Sequence, residues 1–325
     1  MRKQKNEFQI LFLFILFVSF SPNSQGQSNA NWMSAHKDAL QNACINQVTL
    51  LGSHDAGSYG VVEGAPPCSG YINHEGKHMK HSASAADLLH AICQSGTAYD
   101  QLAYGVRYLD LRICKQNGQF MMEHMWVSVP CFGHDGFFSQ VKRFLKDNPD
   151  EVILLSIWQL WSETGRMTIG EATGLYQKIE NEFGELLIPK NQVSKLTYGQ
   201  IWEGKGRIIL FGAQFSDDDM AGFNDPNIWN QQEDSKWLDV HDPQDLIQGQ
   251  EAIVQGWVNG KSRDKLRVLS SIIDAGKKIE DAARTNPITK QKLLTDWKNA
   301  PISVVEVDDS VNSDLIQVLI DRIKH

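Results

Sequence analysis

The chain has 325 residues, with 31 Lys and Arg against 39 Asp and Glu, a formal net charge of −8, and 42% hydrophobic residues. No basic run of five or more interrupts that acidic balance, which excludes nucleic acid as a partner and electrostatic attraction to an anionic bilayer. The length serves one large core or two small ones, and no repeat, low-complexity tract or Pro/Gly/Ser linker divides it.

Residues 1–26 read as a secretory signal peptide. Arg2, Lys3 and Lys5 precede an apolar run at 10–20 that is too short for a stable span, and Ser24-Gln25-Gly26 offers small residues at the −3 and −1 positions of a cleavage site. The mature body, residues 27–325, is therefore expected outside the cytoplasm, extracellular or periplasmic, with no further transmembrane span. The five cysteines, Cys44, Cys68, Cys93, Cys114 and Cys131, contain no CxxC pair. One or two disulfides with at least one thiol left over are expected in an oxidising compartment, with the pairing open.

Along the body, residues 47–52 read as a strand and 59–82 as a Gly-, Pro- and His-rich loop. Helical spacing follows at 84–93 and at 98–104, where Gly105 ends it. Residues 106–113 alternate as a second strand, and 120–124 form a third after the Asn117-Gly118 turn. A helix over 136–147 stops at Asn148-Pro149. Then come a strand at 151–157, helices at 169–183 and 197–202, and a strand at 207–211. Residues 213–243 read as a long acidic surface loop. Helices are expected at 262–284 and 287–298, broken at Asn286-Pro287, then a strand at 301–307 and a helix at 313–324. Apolar strands alternating with helices predict an α/β class with a parallel sheet, and the size suits closure into a barrel. An open doubly wound sheet is the alternative, but no Gly-rich phosphate fingerprint follows the first strand.

Four strand-like runs end in ionisable residues: His54-Asp55, Asp110-Leu111-Arg112, Glu123-His124, and Glu306-Val307-Asp308-Asp309. In a barrel these ends share one mouth. Two histidines supply a base for an attacking hydroxyl and an acid for a departing alkoxide, each tuned by a carboxylate. One Arg meets the charge that develops on phosphorus. That set suits a phosphodiester. His74, His78 and His81 lie near enough in sequence to suggest a metal group, but a solvated loop is the expectation. Among Trp126, Trp158, Trp161, Trp229 and Trp237 most are expected to pack, with Trp158 and Trp229 facing the substrate.

The segments LGSHDAGSY (51–59), GVRYLDLRI (105–113), Glu123-His124, NPDEVILLSIW (148–158) and VVEVDDSV (304–311) resemble, in order and spacing, the phosphatidylinositol-specific phospholipase C X-domain family. The resemblance implies a single-domain irregular TIM-like (β/α) barrel that acts at a membrane surface and cleaves between diacylglycerol and the inositol phosphate. It implies His54 as general base, oriented by Asp308, and His124 with Asp55 as general acid. Arg112 would bind the phosphate, with Asp110 holding it, and Trp158 would line the headgroup site. Calcium-dependent members carry an acidic ligand where Arg112 stands, so no cofactor and no metal are expected. Three positions depart from the family. Met125 stands where Gly is usual, Trp158 where the bacterial enzymes have Lys, and Gly212-Ala213 where they have Arg, which leaves the headgroup open. Two rival readings stand beside this one. The first is a metal-dependent glycerophosphodiesterase or sphingomyelinase D-like enzyme; the second is a secreted barrel that binds inositol phosphates or glycans without catalysis.

Overall fold

A computed structural model describes residues 29–72, 76–213 and 225–324. The expected leader at 1–26, His74 and part of the expected 213–243 loop lie outside them. No helix among the described residues is long and apolar enough to cross a membrane.

In chain order the strands are β1 (Leu50–Ser53), β2 (Tyr108–Gln116), β3 (Gln119–His124), β4 (Trp126–Pro130), β5 (Ile153–Ser162), β6 (Gly165–Arg166), β7 (Ile208–Phe211), β8 (Ile228–Trp229), β9 (Glu233–Ser235), β10 (Leu266–Ser270) and β11 (Val304–Val307). Eight of them run parallel in one curled sheet, in the order β8-β7-β5-β2-β1-β11-β10-β9. That is chain order around a circle. Among the described residues β8 and β9 do not pair, so the barrel stays open between its fifth and sixth parallel strands. The architecture is therefore an irregular TIM-like barrel with helices packed on a single core. β1, β7, β10 and β11 are buried at every position, as strands covered on both faces must be, and their apolar residues supply that burial. Gly52 is required inside: a Cβ there would lie 2.8 Å from Val304 and 3.0 Å from Tyr108.

β2 runs past the rim and returns as β3 through Asn117-Gly118, both at positive φ, as a two-residue hairpin demands. The helices Ala98–Tyr104 and Ile169–Phe183 fall where their spacing places them, each opened by a reciprocal Thr–carboxylate cap.

The chain differs from expectation most after residue 240. The helix expected at 262–284 is instead β10 followed by a long helix, Lys278–Leu294, which runs through Pro287 rather than breaking there. Leu266 to Ser270 is a five-residue run, too short for periodicity to separate strand from helix. The helix Pro243–Val258 was overlooked, although Asp242 caps it by accepting from Gln244 N and Pro243 sits in its first turn. The helix expected at 84–93 shrinks to Leu88–Ala91, and that at 313–324 to Ile316–Asp321 flanked by 3₁₀ turns. The strand expected from 47 begins at Leu50, after a 3₁₀ turn at Ile45–Gln47.

One disulfide, Cys68–Cys114, ties the loop after β1 to β2, while Cys44, Cys93 and Cys131 are free thiols. Beneath the barrel, Arg107 and Glu151 form a fully buried ion pair, Nη2 to Oε2 at 2.6 Å. Glu151 also accepts from the backbone of Met33 and Ser34, and Arg107 donates to Ala30 O, so the pair anchors the first helical turns to the core. Glu151→Ala leaves that guanidinium buried and uncompensated and is expected to cost about 3–5 kcal/mol of unfolding free energy, read from the denaturant midpoint.

Candidate active site

β1 ends at Ser53, and His54 and Asp55 follow directly. Asp55 turns the chain at φ 42, a left-handed conformation that Asp tolerates better than most residues. Its backbone N donates to Asp110 Oδ2 at 3.0 Å, so the first two strand ends are stitched together. Asp110 thus secures the Asp55 loop, and Arg112 is gripped by Asp55 instead, Nε to Oδ1 at 2.5 Å.

The other oxygen of Asp55 faces both histidines, 3.3 Å from His54 Nε2 and 3.3 Å from His124 Nε2. His54 Nδ1 lies 2.8 Å from Asp308 Oδ1, just beyond β11. Arg112 Nη2 lies 3.1 Å from His54 Nε2. In the neutral ring Nε2 accepts from Arg112, which can only donate, and the proton sits on Nδ1 toward Asp308; in the imidazolium Nε2 donates toward Asp55 Oδ2 instead. His124 does not arrive on a barrel strand. It ends β3, the antiparallel return of β2, and its Nδ1 reaches Ala91 O at 2.9 Å. The next residue, Met125, takes φ 66, which explains why glycine suits this place, and Glu123 Oε2 accepts its backbone N at 2.7 Å.

All the core groups are buried: His54 3% exposed, Asp55 1%, His124 7% and Asp308 2%. Burial opposes the charge on Asp55, but Arg112, then His54 and His124, outweigh it and hold its pKa at about 2. Burial likewise opposes protonation of His54, yet Asp55 and Asp308 raise its pKa well above 6.5, which makes it a strong base. At His124 burial wins over Asp55 and the pKa falls to about 4. The two imidazoles are thus driven apart by their surroundings.

Trp158 sits at a β-bulge of β5 in the barrel interior, half-buried, with Nε1 3.3 Å from Tyr108 OH. Trp229 does not face the mouth; it is fully buried and donates to Ile188 O. Instead Trp237, 44% exposed, stacks on His54 at 5.5 Å between ring centroids. Lys278, 4% exposed, pairs with Asp274 at 3.0 Å and lies 5.8 Å above the Trp237 ring. Neither was legible as a site residue, since both lie beyond residue 235, where the elements themselves were misplaced. Cys93 was missed too. Its sulfur is 3.5 Å from His124 Nδ1, and burial, then Asp308, pushes the thiol up to about 12. Three overlapping groups bring ligand atoms close enough for a metal: His54, Cys93 and Asp308; Asp55, Cys93 and His124; and His54, Asp55 and Asp110. His78 and His81 are exposed in their loop and belong to none of them.

No model of a known protein family matches the chain. It is 28% identical over 202 residues to human PI-PLC X domain-containing protein 2, covering 59% of this chain and 64% of that protein. It is 25% identical over 211 residues to the variant-surface-glycoprotein phospholipase C of Trypanosoma brucei brucei, covering 59% and 53%. The chain thus spans less than two thirds of these relatives' length. The phosphatidylinositol-specific phospholipase C of Listeria monocytogenes shares the fold, with a TM-score of 0.65 at 17% identity over 91% of this chain and 99% of that one. In sequence the chain is thus similar to proteins with a PI-PLC X domain, and in fold to a bacterial phosphatidylinositol-specific phospholipase C.

Inside the barrel, Glu233 accepts from Ser156 Oγ at 2.7 Å and Tyr108 OH at 3.0 Å, and burial raises its pKa to about 8. Burial also raises Glu306 and Glu123 to about 7. A carboxyl whose folded pKa lies above its unfolded one stabilises fully below the unfolded value and loses that contribution as pH rises through the folded one. The melting temperature is therefore expected to fall between about pH 5 and pH 8.5, and Glu233→Gln to flatten that fall in a calorimetric pH series.

Proposed function

We propose that this chain is a secreted phosphodiesterase that cleaves phosphatidylinositol, or a glycosylated derivative, to diacylglycerol and inositol 1,2-cyclic phosphate at a membrane surface. The observation that carries the reading is one Asp55 carboxylate facing Arg112, His54 and His124 at once, with Asp308 behind His54. The relatives support it: one is named a variant-surface-glycoprotein phospholipase C, another a PI-PLC X domain-containing protein. Secretion rests on the leader-like residues 1–26.

The substrate phosphodiester is an anion, and it draws the Arg112 guanidinium toward its oxygens. Nε2 of His54 is then free to take the proton of the inositol 2-hydroxyl. That oxygen bonds to phosphorus as the glycerol oxygen leaves; with Arg112 drawn to the phosphate, Asp55 raises His124 from its resting pKa of about 4, and the protonated ring gives its Nε2 proton to the departing oxygen. The nucleophile and the phosphorus belong to one molecule, so attack is effectively unimolecular. In the second half the histidines exchange roles, and water opens the cyclic phosphate.

The metal-dependent rival has the three ligand groups in its favour. Against it, Arg112 already supplies the positive charge there, and a divalent ion among His54, Asp55 and Asp110 would sit beside that guanidinium. Phosphorus NMR on phosphatidylinositol micelles with excess chelator separates the two. Cyclic phosphate forming under chelation supports the proposal; activity only after a divalent ion is added overturns it.

His54→Ala is expected to lower the cleavage rate by about 10²–10⁴-fold or more in the same assay. In the free enzyme His54 holds a proton and His124 does not, the reverse of the reacting pair, so the alkaline limb of kcat/KM reports His54; Asp308→Asn removes a negative charge that raises His54 and should move that limb to lower pH. An unmoved limb would show that His54 is not the group titrating there.

A further inference from the structure

At the end of the barrel opposite His54 lies a cavity of about 940 Å³. It opens where β1, β10 and β11 begin, and Leu40, Val48, Trp257 and Leu293 give it apolar walls. Four cations reach it, Arg263, Arg267, Lys298 and Arg322, against the carboxylate of Asp321. That concentration of positive charge stands out in a chain with a formal net charge of −8.

Arg267 carries the argument. It is 7% exposed, donates from Nη2 to Asn46 O at 2.9 Å, and has a buried Nε without an acceptor. Arg322 directs its donors to Thr49 Oγ1 and to the carbonyls of Trp297 and Ala300. Burial lowers the pKa of both guanidinium groups, and no carboxylate raises either one. A cation held in apolar surroundings without a counter-ion is costly, and an anion entering the cavity offsets that cost. A guanidinium fork matches the paired oxygens of a carboxylate or phosphate. The volume falls within the roughly 300–1,000 Å³ of small-molecule sites, which are mostly apolar with a few placed polar groups.

We propose that this cavity binds an acidic amphiphile, a molecule with one carboxylate or phosphate head and one alkyl chain. The head meets Arg267, and the chain lies along Leu40, Val48, Trp257 and Leu293. The site is separate from the catalytic mouth, since it is built from the opposite ends of the strands.

Calorimetric titration of the full chain with decanoate, decyl phosphate, decanol and inorganic phosphate tests this. At least one of the two anionic amphiphiles is expected to bind at one per chain, and whichever binds more tightly identifies the head. Decanol and inorganic phosphate should bind at least about tenfold more weakly, because each lacks one half of the recognition. Arg263 and Lys298 are exposed, so the double variant R263E/K298E should keep the wild-type melting temperature and lose about tenfold or more in affinity for the anionic amphiphile. Decanol binding as tightly as decanoate and decyl phosphate would overturn the proposal, because the cations would then not be read. Unchanged affinity in R263E/K298E would overturn it by placing the anion elsewhere, the catalytic mouth included. Absence of binding by both anionic amphiphiles would overturn it outright.

Discussion

The arrangement at the mouth depends on one carboxylate. Asp55 pairs with Arg112 through one oxygen and presents the other to both histidines. It can do so only because its backbone turns left-handed at the end of β1 and is held there by Asp110. With its pKa held at about 2 it is a permanent anion. That anion keeps Arg112 at the centre, and together with Asp308 it raises the proton affinity of His54. His124 feels the same charge without a second carboxylate behind it, so burial prevails there. Two chemically identical rings thus acquire opposite tendencies from a single neighbour.

The barrel interior follows a related logic. β9 lacks β8 as an edge partner, yet its Glu233 reaches across the lumen to Tyr108 on β2 and Ser156 on β5. These two hydrogen bonds tie β9 to the far wall where sheet pairing is missing. Burial disfavours the charged form, so Glu233 keeps its proton well above the ordinary carboxylate range. The opening in the circle and the protonated acid inside it are two sides of one compromise, in which a polar lumen does part of the work of a backbone ladder.

The sequence was legible where chemistry and local pattern coincide. His54, Asp55, Arg112 and Asp308 stand at the ends of apolar runs, and those runs became strands opening on one mouth. His124 was legible as a residue, and the Asn117-Gly118 turn ahead of its strand signalled the antiparallel return that carries it. The register of Ile113 with Met122 fixes which residues face one another across it. Beyond residue 235 the reading failed for a physical reason. β8 and β9 have two and three residues, below the length at which a period exists, and β10 is flanked by charges that imitate an amphipathic helix. Trp237 and Lys278 lie in that region, so their place beside His54 was out of reach.

Those two residues bear on the departures at Trp158 and Gly212-Ala213. Where the resemblance leads one to expect cations on that side of the barrel, the chain has an indole and a backbone packed under Ile228 and Tyr176. Lys278 brings a positive charge from the opposite wall, at the start of the helix after β10. Asp308 and Asp274 raise its pKa against the effect of burial, so it stays charged, and Asp274 anchors it. A ligand of the kind proposed would therefore meet charge on the Lys278 and Arg112 side of this mouth and an aromatic face at Trp158. An aromatic face against a sugar ring selects by shape and C–H packing, whereas a lysine selects by hydroxyl and phosphate placement. Exchanging one for the other leaves the cluster around Asp55 intact and redraws the surface beside it.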